Sequence, residues 1–518
     1  MPKPSENLAK ALEVLHKLQE AGHVAIYTGD IPGRQVRERL VKNGFIKEVT
    51  KGWYIPSRPD ESTGDSTSWY TSYWEFCSRY LNHKYGGDWC LSPDMSLQLN
   101  TGNWSVPTQL IVRSPKASNS LTRLPYYSSM FNLKSELPQK QLLTVNRAIR
   151  LYTLEASLIY CPVNLFTQNP IDTRTALAMI RNASELLPFL LEKGHTVYAG
   201  RLAGAFRNIG KDKIADEILD AMRETGYDAR ETDPFNQKLA IQFSGERSPF
   251  VIRVRLMWQQ MREQIIKVFP VAPGIPADKE AYLKDIQVIY VTDAYHSLSI
   301  ERYKVSPQLI ERVRRGQWDK DSNEEDKKHR DAMAARGYFL AFQQVSESIG
   351  KILKGENPGT VADDDHSRWH LQLFGPSVNA GLLRASDLAG YRNLQVYIGG
   401  SKHIPPNVDN MRDVMPLLFE LLEQEPEASV RAVLGHFIFV FIHPYGDGNG
   451  RMGRFLMNAM LASGGYPWTV IPVEQREVYM KALETASVEQ QIEPFAQFIA
   501  HLVKKGMEGK PEAVLITT

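Results

Sequence analysis

The chain has 518 residues, of which 43% are apolar and 23% charged, the composition of an ordinary soluble globular protein. Its net charge of +2 argues against a uniformly polybasic nucleic-acid binder. Three cysteines without a CxxC pair argue against a disulfide framework, and no apolar run reaches the roughly 18 residues of a membrane span. The N-terminus lacks the apolar core of a signal peptide, so we expect a cytoplasmic protein of several domains, without a membrane partner.

Residues 1–60 are predicted to form a small helical head. Leucines at helical spacing predict a first helix over residues 5–21. GRQVRERLVKNGF predicts a short helix that stops at Gly44, and IKEVTKGWYIP predicts two strands joined at Lys51-Gly52. Three helices followed by a hairpin are the order of a winged helix-turn-helix.

Residues 34–58 hold seven Lys or Arg against two Asp or Glu. This excess lies where a recognition helix and a wing would contact phosphates. A small structural domain with a solvated basic face accounts for the same residues, so both interpretations stay open. The candidate DNA contacts are Arg34, Arg37, Arg39 and Lys51.

The middle of the chain changes from mixed to helical patterns. Residues 61–75 are rich in Ser and Thr and are predicted to form a loop, and TQLIVR predicts a strand further on. From 138 to 228 the pattern is helical, with helices that end in glycine at Gly194 and Gly226.

Several segments of the N-terminal half resemble the AbiEi-like antitoxin family, namely KNGFIKEVTKGWYIP, RLAGAFRNIG with IADEIL, and GYDARETDPF. The resemblance extends over residues 5–235 and assigns no catalytic residue. It implies a winged helix-turn-helix over 1–60 that binds DNA, and an antitoxin-like region over 61–235 that is first mixed α/β and then helical. Residues 236–279, which contain the loop signal Gly274–Pro276, are predicted to connect this half to a last domain.

The stretch from His443 to Arg454, HPYGDGNGRMGR, contains a GxGxxG pattern. A Rossmann loop needs a strand before it and an acidic residue about 20 positions on. Here PEASVRAVLGHFIFVFI has helical spacing, and the first acidic residue afterwards is Glu474. A calcium loop starting at Asp447 would use Arg451 as a ligand, and no Lys-Ser/Thr follows for a P-loop. A glycine-rich turn with incidental polar residues remains as a bland alternative.

A phosphate cradle with a general base accounts for more of this stretch. Gly448 and Gly450 would let an anion approach the backbone amides at a helix N-terminus. Arg451 and Arg454, three residues apart, would share one face of that helix and grip outer phosphates. The remaining polar groups suit a general base near neutral pH and a Mg²⁺ ligand, namely His443 and Asp447.

HPYGDGNGRMGR resembles the signature of Fic-domain enzymes, HPFx(D/E)GNGRxxR, with Tyr445 where Phe is usual. The resemblance implies an α-helical Fic domain over residues 280–510 in a mainly α protein. It implies a protein AMP-transferase that uses ATP and Mg²⁺. His443 would take the proton of a target Ser, Thr or Tyr hydroxyl, whose oxygen attacks the α-phosphorus, with Mg²⁺ on Asp447. The implied nucleotide contacts are Gly448, Asn449, Gly450, Arg451, Arg454 and Tyr479.

Two further segments are similar to parts of that family. RNLQVYIGGSKHIPP, residues 392–406, is similar to the flap, an edge hairpin that clamps an extended target segment by main-chain hydrogen bonds. Helices beyond residue 475 would close the nucleotide site, with Tyr479 near the adenine, although Ser487 stands where many members carry asparagine. The implied target-docking residues are Val396, Tyr397, Ile398 and Gly399.

HSLSIERY, residues 296–303, resembles the inhibitory motif (S/T)xxxE(G/N) of Fic proteins. Ser297 and Glu301 lie one helical turn apart, and the resemblance implies that Glu301 pairs with Arg454 and so denies it to the γ-phosphate. Arg302 stands where the family has Gly or Asn. A solvated pair of surface residues, worth little, is the alternative.

Two alternatives to AMP transfer stay open. One is a DNA-binding regulator whose Fic domain senses nucleotide, and the other is removal of AMP by the same loop, with Glu301 placing a water. The expected partners are ATP, a target protein that includes the chain itself as a candidate, DNA, and a second copy of the chain in a homodimer.

Overall fold

The computed structural model of the protein describes residues 4–61, 64–192, 194–238, 248–316, 330–388 and 390–515. Packing divides the chain into two units. The first holds Met1–Gly245 together with Tyr397–Ile404, and the second holds Glu246–Val396 and Pro405–Thr518. None of the described helices combines the length and the apolarity that crossing a bilayer requires.

The first unit begins with a small sheet and two α-helices. Its elements are α1 Pro4–Glu20, β1 Ile26–Tyr27, α2 Arg34–Lys42, β2 Ile46–Thr50 and β3 Trp53–Pro56. The strands are antiparallel in the order β1-β3-β2. Gly44 (φ +75°) ends α2, and Gly52 (φ +79°) forms the β2–β3 turn, as expected.

The expected three-helix head is not fully formed. Between the two α-helices lie β1 and a three-residue 3₁₀ turn, Thr28–Asp30, in place of a further α-helix. A small apolar core nevertheless joins both helices to the strands, formed by Ala11, Leu15, Ile26, Ile31, Leu40, Ile46 and Tyr54. The winged helix-turn-helix assignment therefore stays a prediction.

The loop predicted over residues 61–75 is wrong for most of its length, because α3 spans Thr67–Tyr85. The Ser and Thr content hid an aromatic pattern at helical spacing. Those rings are buried and form the main core of the first unit, in which α3 contributes Trp69, Tyr70, Tyr73, Trp74, Phe76 and Tyr85. Burial of large rings outweighs the weak helix propensity of the small polar residues.

A four-stranded sheet follows, with α4 Pro93–Asn100 after its first strand. The strand order is β4-β5-β7-β6, with β5 and β7 parallel and the other pairs antiparallel. TQLIVR lies largely in β5, as predicted. The bounds are β4 Cys90–Leu91, β5 Gln109–Ser114, β6 Ser120–Arg123 and β7 Ser129–Lys134.

The helical pattern predicted from 138 is wrong at its start, where β8 Leu143–Asn146 and β9 Ile149–Tyr152 form a hairpin. Arg147 and Ala148 make its two-residue turn with φ of +47° and +60°. Such turns favour Asn-Gly, so this sequence gave no hairpin signal. Helices follow as expected: α5 Leu154–Tyr160, α6 Leu165–Gln168, α7 Pro170–Met179, α8 Leu187–Leu191, α9 Thr196–Asn208 and α10 Asp212–Glu224.

The glycines of RLAGAFRNIG bring α9 against the segment GYDARETDPF. A Cβ at Gly200 would lie 1.9 Å from the Arg230 carbonyl oxygen, and one at Gly204 would lie 2.3 Å from that of Thr232. The Thr232 amide donates to the Gly200 carbonyl at 3.0 Å. Two of the quoted motifs are therefore the two sides of one close backbone contact.

The second unit contains helices and no strand among its described residues. Helix α11 lies inside the predicted connecting segment 236–279. Its Trp258 and Arg262 donate to the Glu425 carboxylate, so this helix is part of the second unit. The bounds are α11 Pro249–Val268, α12 Lys279–Ile300, α13 Pro307–Arg314, α14 Arg330–Leu353, α15 Pro358–Asn379, α16 Val408–Gln424, α17 Ala428–Ile442, α18 Asn449–Ala462, α19 Arg476–Val488 and α20 Glu493–Met507.

Candidate active site

The stretch HPYGDGNGRMGR joins two buried helices rather than a strand and a helix. Helix α17 is apolar on nearly all sides and lies in the core of the second unit. It ends at His443, whose φ of +54° reverses the chain, and α18 begins after Gly448, whose φ is +88°. The Rossmann alternative is thereby excluded, since no strand precedes the glycines.

His443 is held in one orientation by its own helix. Its Nδ1 lies 3.2 Å from the Val440 carbonyl oxygen, which can only accept, so Nδ1 carries the hydrogen and Nε2 keeps its lone pair. Burial lowers the pKa of His443 to about 4, an effect that the Val440 hydrogen bond only partly offsets. The imidazole is therefore a neutral base throughout the physiological pH range.

Arg392 connects the flap segment to the catalytic turn, which sequence reasoning did not anticipate. Its Nε donates to the His443 carbonyl at 2.8 Å, and Nη1 donates to the Leu394 carbonyl at 3.0 Å. Nη2 donates to the carbonyl of Pro406. The buried Arg392 cation also lies near the C-terminus of α17, where a positive charge interacts favourably with the helix dipole. Arg392 thus fixes both ends of residues 392–406 against the turn at His443.

The three glycines of the GxGxxG pattern have different roles. A Cβ at Gly448 would lie 2.7 Å from the Phe374 ring, and one at Gly453 would lie 2.9 Å from Nδ1 of His436, where α17 and α18 pack together. A Cβ at Gly450 would instead lie 2.3 Å from Oε1 of Glu301. Only the Gly450 position brings backbone against an anionic group at the start of α18.

Asn449 closes the loop on itself. Its side-chain oxygen accepts from the Tyr445 amide at 2.9 Å, and its side-chain nitrogen donates to the Tyr445 carbonyl at 2.8 Å. Each end of the amide thus makes one hydrogen bond to Tyr445, which fixes the orientation of the Asn449 side chain within the loop. Asp447, more than half exposed, accepts from the Gly448 amide at 2.6 Å.

Arg451 lies between two aromatic rings. Its guanidinium carbon is 5.1 Å from the centre of Tyr303 and 4.9 Å from the centre of Phe374. It is 1% exposed, and its Nη2 lies 3.4 Å from the Asp447 carboxylate. The two rings hold the guanidinium between them, and its contact with the Asp447 carboxylate is long.

Arg454 contacts both residues of the proposed inhibitory motif. Its Nε donates to Oγ of Ser297 at 2.9 Å, and its Nη2 donates to Oε1 of Glu301 at 2.8 Å. Burial favours the protonated form of Glu301, but Arg454 and then Arg451 outweigh it and lower the pKa of that carboxyl. Glu301 is therefore a carboxylate placed where an anionic phosphate would meet α18.

Arg302 occupies a backbone conformation that favours glycine. Its φ is +65°. Two main-chain hydrogen bonds end α12 here: the Arg302 amide donates to the Ser299 carbonyl, and the Tyr303 amide donates to the Leu298 carbonyl. This is a Schellman motif, whose left-handed position suits Gly or Asn. The family preference at this position thus has a backbone cause, and Arg302 holds the same turn under strain.

Tyr479 lies inside the same part of the second unit. It is 1% exposed, and its hydroxyl is 2.8 Å from Nε2 of His436. The Ser487 hydroxyl donates to the Leu483 carbonyl of its own helix at 2.8 Å. The role of Tyr479 beside an adenine stays a prediction.

The predicted flap contains no strand among residues 392–406, which corrects the expected edge hairpin. Val396 belongs to the second unit, whereas residues 397–404 pack within the first. There the Gly400 amide donates to Oγ1 of Thr67 at 3.0 Å, and the Lys402 carbonyl accepts from the Val106 amide at 2.9 Å. Target docking by Val396, Tyr397, Ile398 and Gly399 stays a prediction.

His370 is a second residue that sequence reasoning missed. Its ring stacks on Tyr445 with centres 3.7 Å apart and planes 7° apart. Burial lowers the pKa of His370 to about 4, so the stacked ring is neutral. The sequence indicated only that the motif has an aromatic residue at Tyr445. Its partner His370 lies on a helix about 75 residues upstream, and no local pattern specifies that contact.

The candidate DNA contacts differ in exposure. Arg34 is largely exposed and pairs with Glu38 at 2.6 Å, and Lys51 is exposed at the β2–β3 turn. Arg37 is partly buried, and Arg39 donates to the Asn7 carbonyl at 3.3 Å. The structure brings these residues to the same small head but assigns them no ligand.

Comparison with known proteins agrees with this site. Residues 363–461 match the model of the Fic/DOC family. The protein adenylyltransferase Fic of Drosophila virilis is 30% identical over 238 residues, which are 45% of this chain and 43% of that protein. The protein of the same name from Drosophila melanogaster is 39% identical over 122 residues, 23% of this chain and 24% of that protein. The chain spans less than half the length of these curated relatives.

Solved Fic structures also match. Fic-1 (a fragment) from C. elegans is 16% identical with a TM-score of 0.37, covering 67% of this chain and 97% of that chain. A Fic family protein from Desulfovibrio desulfuricans G20 is 18% identical with a TM-score of 0.34, covering 52% of this chain and 77% of that chain.

Proposed function

We propose that this protein transfers AMP from ATP to a hydroxyl of a target protein and that Glu301 inhibits the transfer. The observation that carries the proposal is the carboxylate of Glu301, 2.8 Å from Arg454 and against Gly450 at the start of a helix. A site that holds an internal anion among backbone amides and arginines suits a phosphate. The names of the curated relatives support the same activity.

The reaction needs one proton transfer and one displacement. Nε2 of His443 takes the proton of the target Ser, Thr or Tyr hydroxyl, and the oxygen forms a bond to the α-phosphorus of ATP. The bond between that phosphorus and the bridging oxygen breaks, and pyrophosphate leaves. The main-chain amides of Asn449 and Gly450, at the start of α18, stabilise charge on the α-phosphate oxygens, which is usually the largest catalytic contribution.

Asp447 is the candidate ligand for Mg²⁺ on the nucleotide. Its exposed carboxylate at the loop is the hard oxygen donor that Mg²⁺ prefers. No group of three or more His, Cys, Asp or Glu in the described part of the chain could hold a metal alone. A bound Mg²⁺ would therefore share its ligands with ATP phosphates and would neutralise charge on the pyrophosphate.

Inhibition by Glu301 follows from competition for one arginine. Arg454 spends Nη2 on Glu301, and the carboxylate lies against the backbone that a terminal phosphate would approach. ATP would then bind without its outer phosphate in place, and the α-phosphorus would not be in line with the target oxygen. A second copy of the chain is a further candidate participant in this inhibition, through a homodimer.

The test is incubation of the purified chain with ATP and Mg²⁺, followed by intact-mass measurement. Glu301→Gly should gain AMP faster than the native chain, and His443→Ala in the same background should gain none. A folded Glu301→Gly chain that gains no AMP, alone or with cell lysate as a source of targets, would overturn the proposal. Loss of AMP from a previously modified protein would instead favour hydrolytic removal of AMP, with Glu301 placing the water.

We also propose that the N-terminal head binds DNA as part of an antitoxin-like half. Support comes from the excess of basic residues in 34–58 and from the exposure of Arg34 and Lys51 at a helix and a hairpin turn. Retention on duplex DNA that falls steeply with salt, and that Lys51→Glu weakens, is the expected result. Equal retention of that variant would contradict it, and a chain that only senses nucleotide would bind DNA without gaining AMP.

A further inference from the structure

Arg392 is a buried cation whose side chain donates to main-chain carbonyls. It is 6% exposed, and burial lowers its pKa to about 10, so the guanidinium is still charged at neutral pH. Within the described part of the chain its three nitrogens donate to the carbonyls of His443, Leu394 and Pro406, and none donates to a carboxylate. A buried charge without a carboxylate partner is costly, and such groups concentrate at functional sites.

Arg392 holds the two carbonyls that follow helix α17. Its Nε donates to the His443 carbonyl at 2.8 Å, and its main-chain N–H donates to the next carbonyl, that of Pro444, at 2.9 Å. From the other side the His443 amide donates to the Phe439 carbonyl of α17 at 3.0 Å. His443 has a left-handed φ of +54°, which a non-glycine residue keeps only where its surroundings enforce it. Arg392 enforces it from the loop side.

The position of the catalytic base depends on this backbone conformation. Nδ1 of His443 lies 3.2 Å from the Val440 carbonyl oxygen, which leaves Nε2 to take the proton. A change in the backbone dihedrals of His443 would move the whole imidazole, because the ring is carried on the α-carbon. A shift of about 1 Å in a reacting group can slow a reaction about 10²-fold.

Arg392 is itself fixed through its neighbour Tyr391. Nδ1 of His366 lies 2.8 Å from the Asp363 carbonyl oxygen, which can only accept, so Nδ1 carries the hydrogen. Nε2 of His366 therefore accepts from the Tyr391 hydroxyl at 2.8 Å. His366 is 5% exposed and lies on α15, so this helix holds the chain immediately before Arg392.

The same guanidinium holds the flap segment, residues 392–406, at both ends. Nη1 donates to the Leu394 carbonyl at 3.0 Å, and Nη2 donates to the Pro406 carbonyl. The Leu394 side chain is 72% exposed, so the chain beside the buried guanidinium is accessible to a target. The rigid planar fork of one arginine thus connects the base to the ends of the segment on which a target is predicted to dock.

We propose that Arg392 is a positioning residue for AMP transfer. Its guanidinium holds the His443 backbone and both ends of the flap segment in one arrangement, so that the base meets the hydroxyl of a target docked there. The proposal rests on the proposed AMP transfer and extends it to a residue outside the HPYGDGNGRMGR stretch. Arg392 acts through His443 and the flap segment and contacts no reacting atom.

The test measures AMP transfer as a function of ATP concentration in a Glu301→Gly parent. Arg392→Met should lower the rate at saturating ATP about 10–10²-fold, because the base is no longer held in place. The binding probe is the α,β-methylene analogue of ATP with Mg²⁺, which cannot undergo the transfer. Its affinity should stay within about twofold, because the proposed nucleotide contacts on the loop and α18 are intact.

The pH profile gives a readout that a purely structural role would not change. Burial lowers the pKa of His443 and the Val440 hydrogen bond opposes it; the Arg392 cation lowers that pKa further, whereas Glu301 and Asp447 raise it. Removal of the cation favours the protonated imidazole, so the acidic limb of the rate profile should move to higher pH in Arg392→Met. Arg392→Lys keeps a positive charge without the fork, so it should keep the parent's acidic limb and still lose rate.

Arg431→Met is the matched control. Arg431 is also buried and lies at the opposite end of α17, where it donates to the Glu425 carbonyl and, at 2.7 Å, to Oγ of Ser463. Because this end of the helix is remote from the turn at His443, its loss should leave the rate at saturating ATP within about twofold. The acidic limb should also stay where it is in the parent.

The parental rate in a folded Arg392→Met or Arg392→Lys chain would overturn the inference, as would an equal loss of rate in Arg431→Met. Arg392→Lys decides the test if Arg392→Met does not fold. Failure of the inference is separable from failure of the proposed function, because the parent is assayed in the same way. An active parent with any of these results overturns the inference alone, whereas a folded parent that transfers no AMP overturns both.

Discussion

Arg451 and Arg454 lie one turn apart on α18, yet their surroundings differ in kind. Arg451 lies between the rings of Tyr303 and Phe374, whereas Arg454 donates to Ser297 and to the Glu301 carboxylate. A phosphate can replace the Glu301 carboxylate as the anionic partner of Arg454, but it cannot replace the aromatic rings that contact Arg451. The motif presents the two arginines as equivalent phosphate ligands. In the proposed function they differ, because Glu301 and the terminal phosphate compete for Arg454 and not for Arg451.

The largest expected effect concerns His443, the general base of the proposed reaction. His443→Ala in the Glu301→Gly background should lower the rate of AMP transfer about 10²–10⁴-fold, the usual contribution of a general base. Arg451 and Arg454 are intact in this variant, so it should still bind the ATP analogue, which is the α,β-methylene analogue of ATP that cannot undergo the transfer. A loss of binding together with the loss of transfer would show that His443 shapes the site rather than acting as its base.

Asp293 lies on α12, the helix that ends at Glu301, and its titration should make the free energy of unfolding depend on pH. Burial raises the pKa of Asp293 to about 6, so between pH 4 and 6 the folded chain holds a proton that the unfolded chain releases. This residue's contribution to stability is thus greatest at low pH and is lost as pH rises through 6. Relative to Asp293→Asn, the native chain should lose about 3 kcal/mol between pH 4 and 7.5, at 1.36 kcal/mol per pKa unit.

Urea unfolding of both chains at several pH values measures this difference. Histidines buried as neutral rings destabilise both chains at low pH alike, so they cancel in the comparison. A difference that does not change with pH would mean that Asp293 does not titrate in this range.

Removal of each arginine should separate the two environments. Arg454→Met leaves the Glu301 carboxylate without its closest cation, which costs about 1–3 kcal/mol for a partly enclosed group. Arg451→Met loses ring contacts worth about 0.5–2 kcal/mol. In the Glu301→Gly background the Arg454 cost should shrink while the Arg451 cost stays the same. Equal shrinkage of both, measured by urea unfolding, would mean that Glu301 stabilises the two arginines alike.

The smallest expected effect is at the end of α12. Arg302→Gly relieves a left-handed residue, which costs about 1–2 kcal/mol, and should fix Glu301 more firmly beside Arg454. The basal AMP transfer of the chain should fall a few-fold. Tyr127→Gly is the control, because Tyr127 also has a positive φ (+59°) but is 96% exposed in the first unit, and it should leave transfer unchanged. A rise in transfer on Arg302→Gly would contradict this account of the strained turn.

The sequence made the loop of the second unit predictable because its chemistry is contiguous. Helical spacing before His443 and the glycines after it specify a helix, a turn and a second helix within about 30 residues. The pairing of Glu301 with Arg454 required the family resemblance, since 153 residues separate the two. The identity of Asn449 alone did not predict its contacts. It was expected to contact the nucleotide, and its side chain hydrogen-bonds to the main chain of Tyr445.

What the sequence could not indicate depends on burial and on long-range partners. The helix α3 was hidden because its small polar residues favour a loop until the rings between them find a core. The two-residue turn at Arg147 and Ala148 has no glycine, so the sequence did not predict a hairpin there. The flap lost its expected strands because residues 397–404 find their partners in the first unit. Asp293 and Tyr338 meet from separate helices, which no local pattern specifies.

The most direct test of the contest for Arg454 is a double-mutant cycle on the affinity for the ATP analogue. The four chains are native, Glu301→Gly, Arg454→Met and the double variant. Glu301→Gly should tighten binding about tenfold or more when Arg454 is present and less than about twofold in the Arg454→Met background, a coupling above about 1 kcal/mol. Equal tightening in both backgrounds would contradict the claim that Glu301 acts by occupying Arg454.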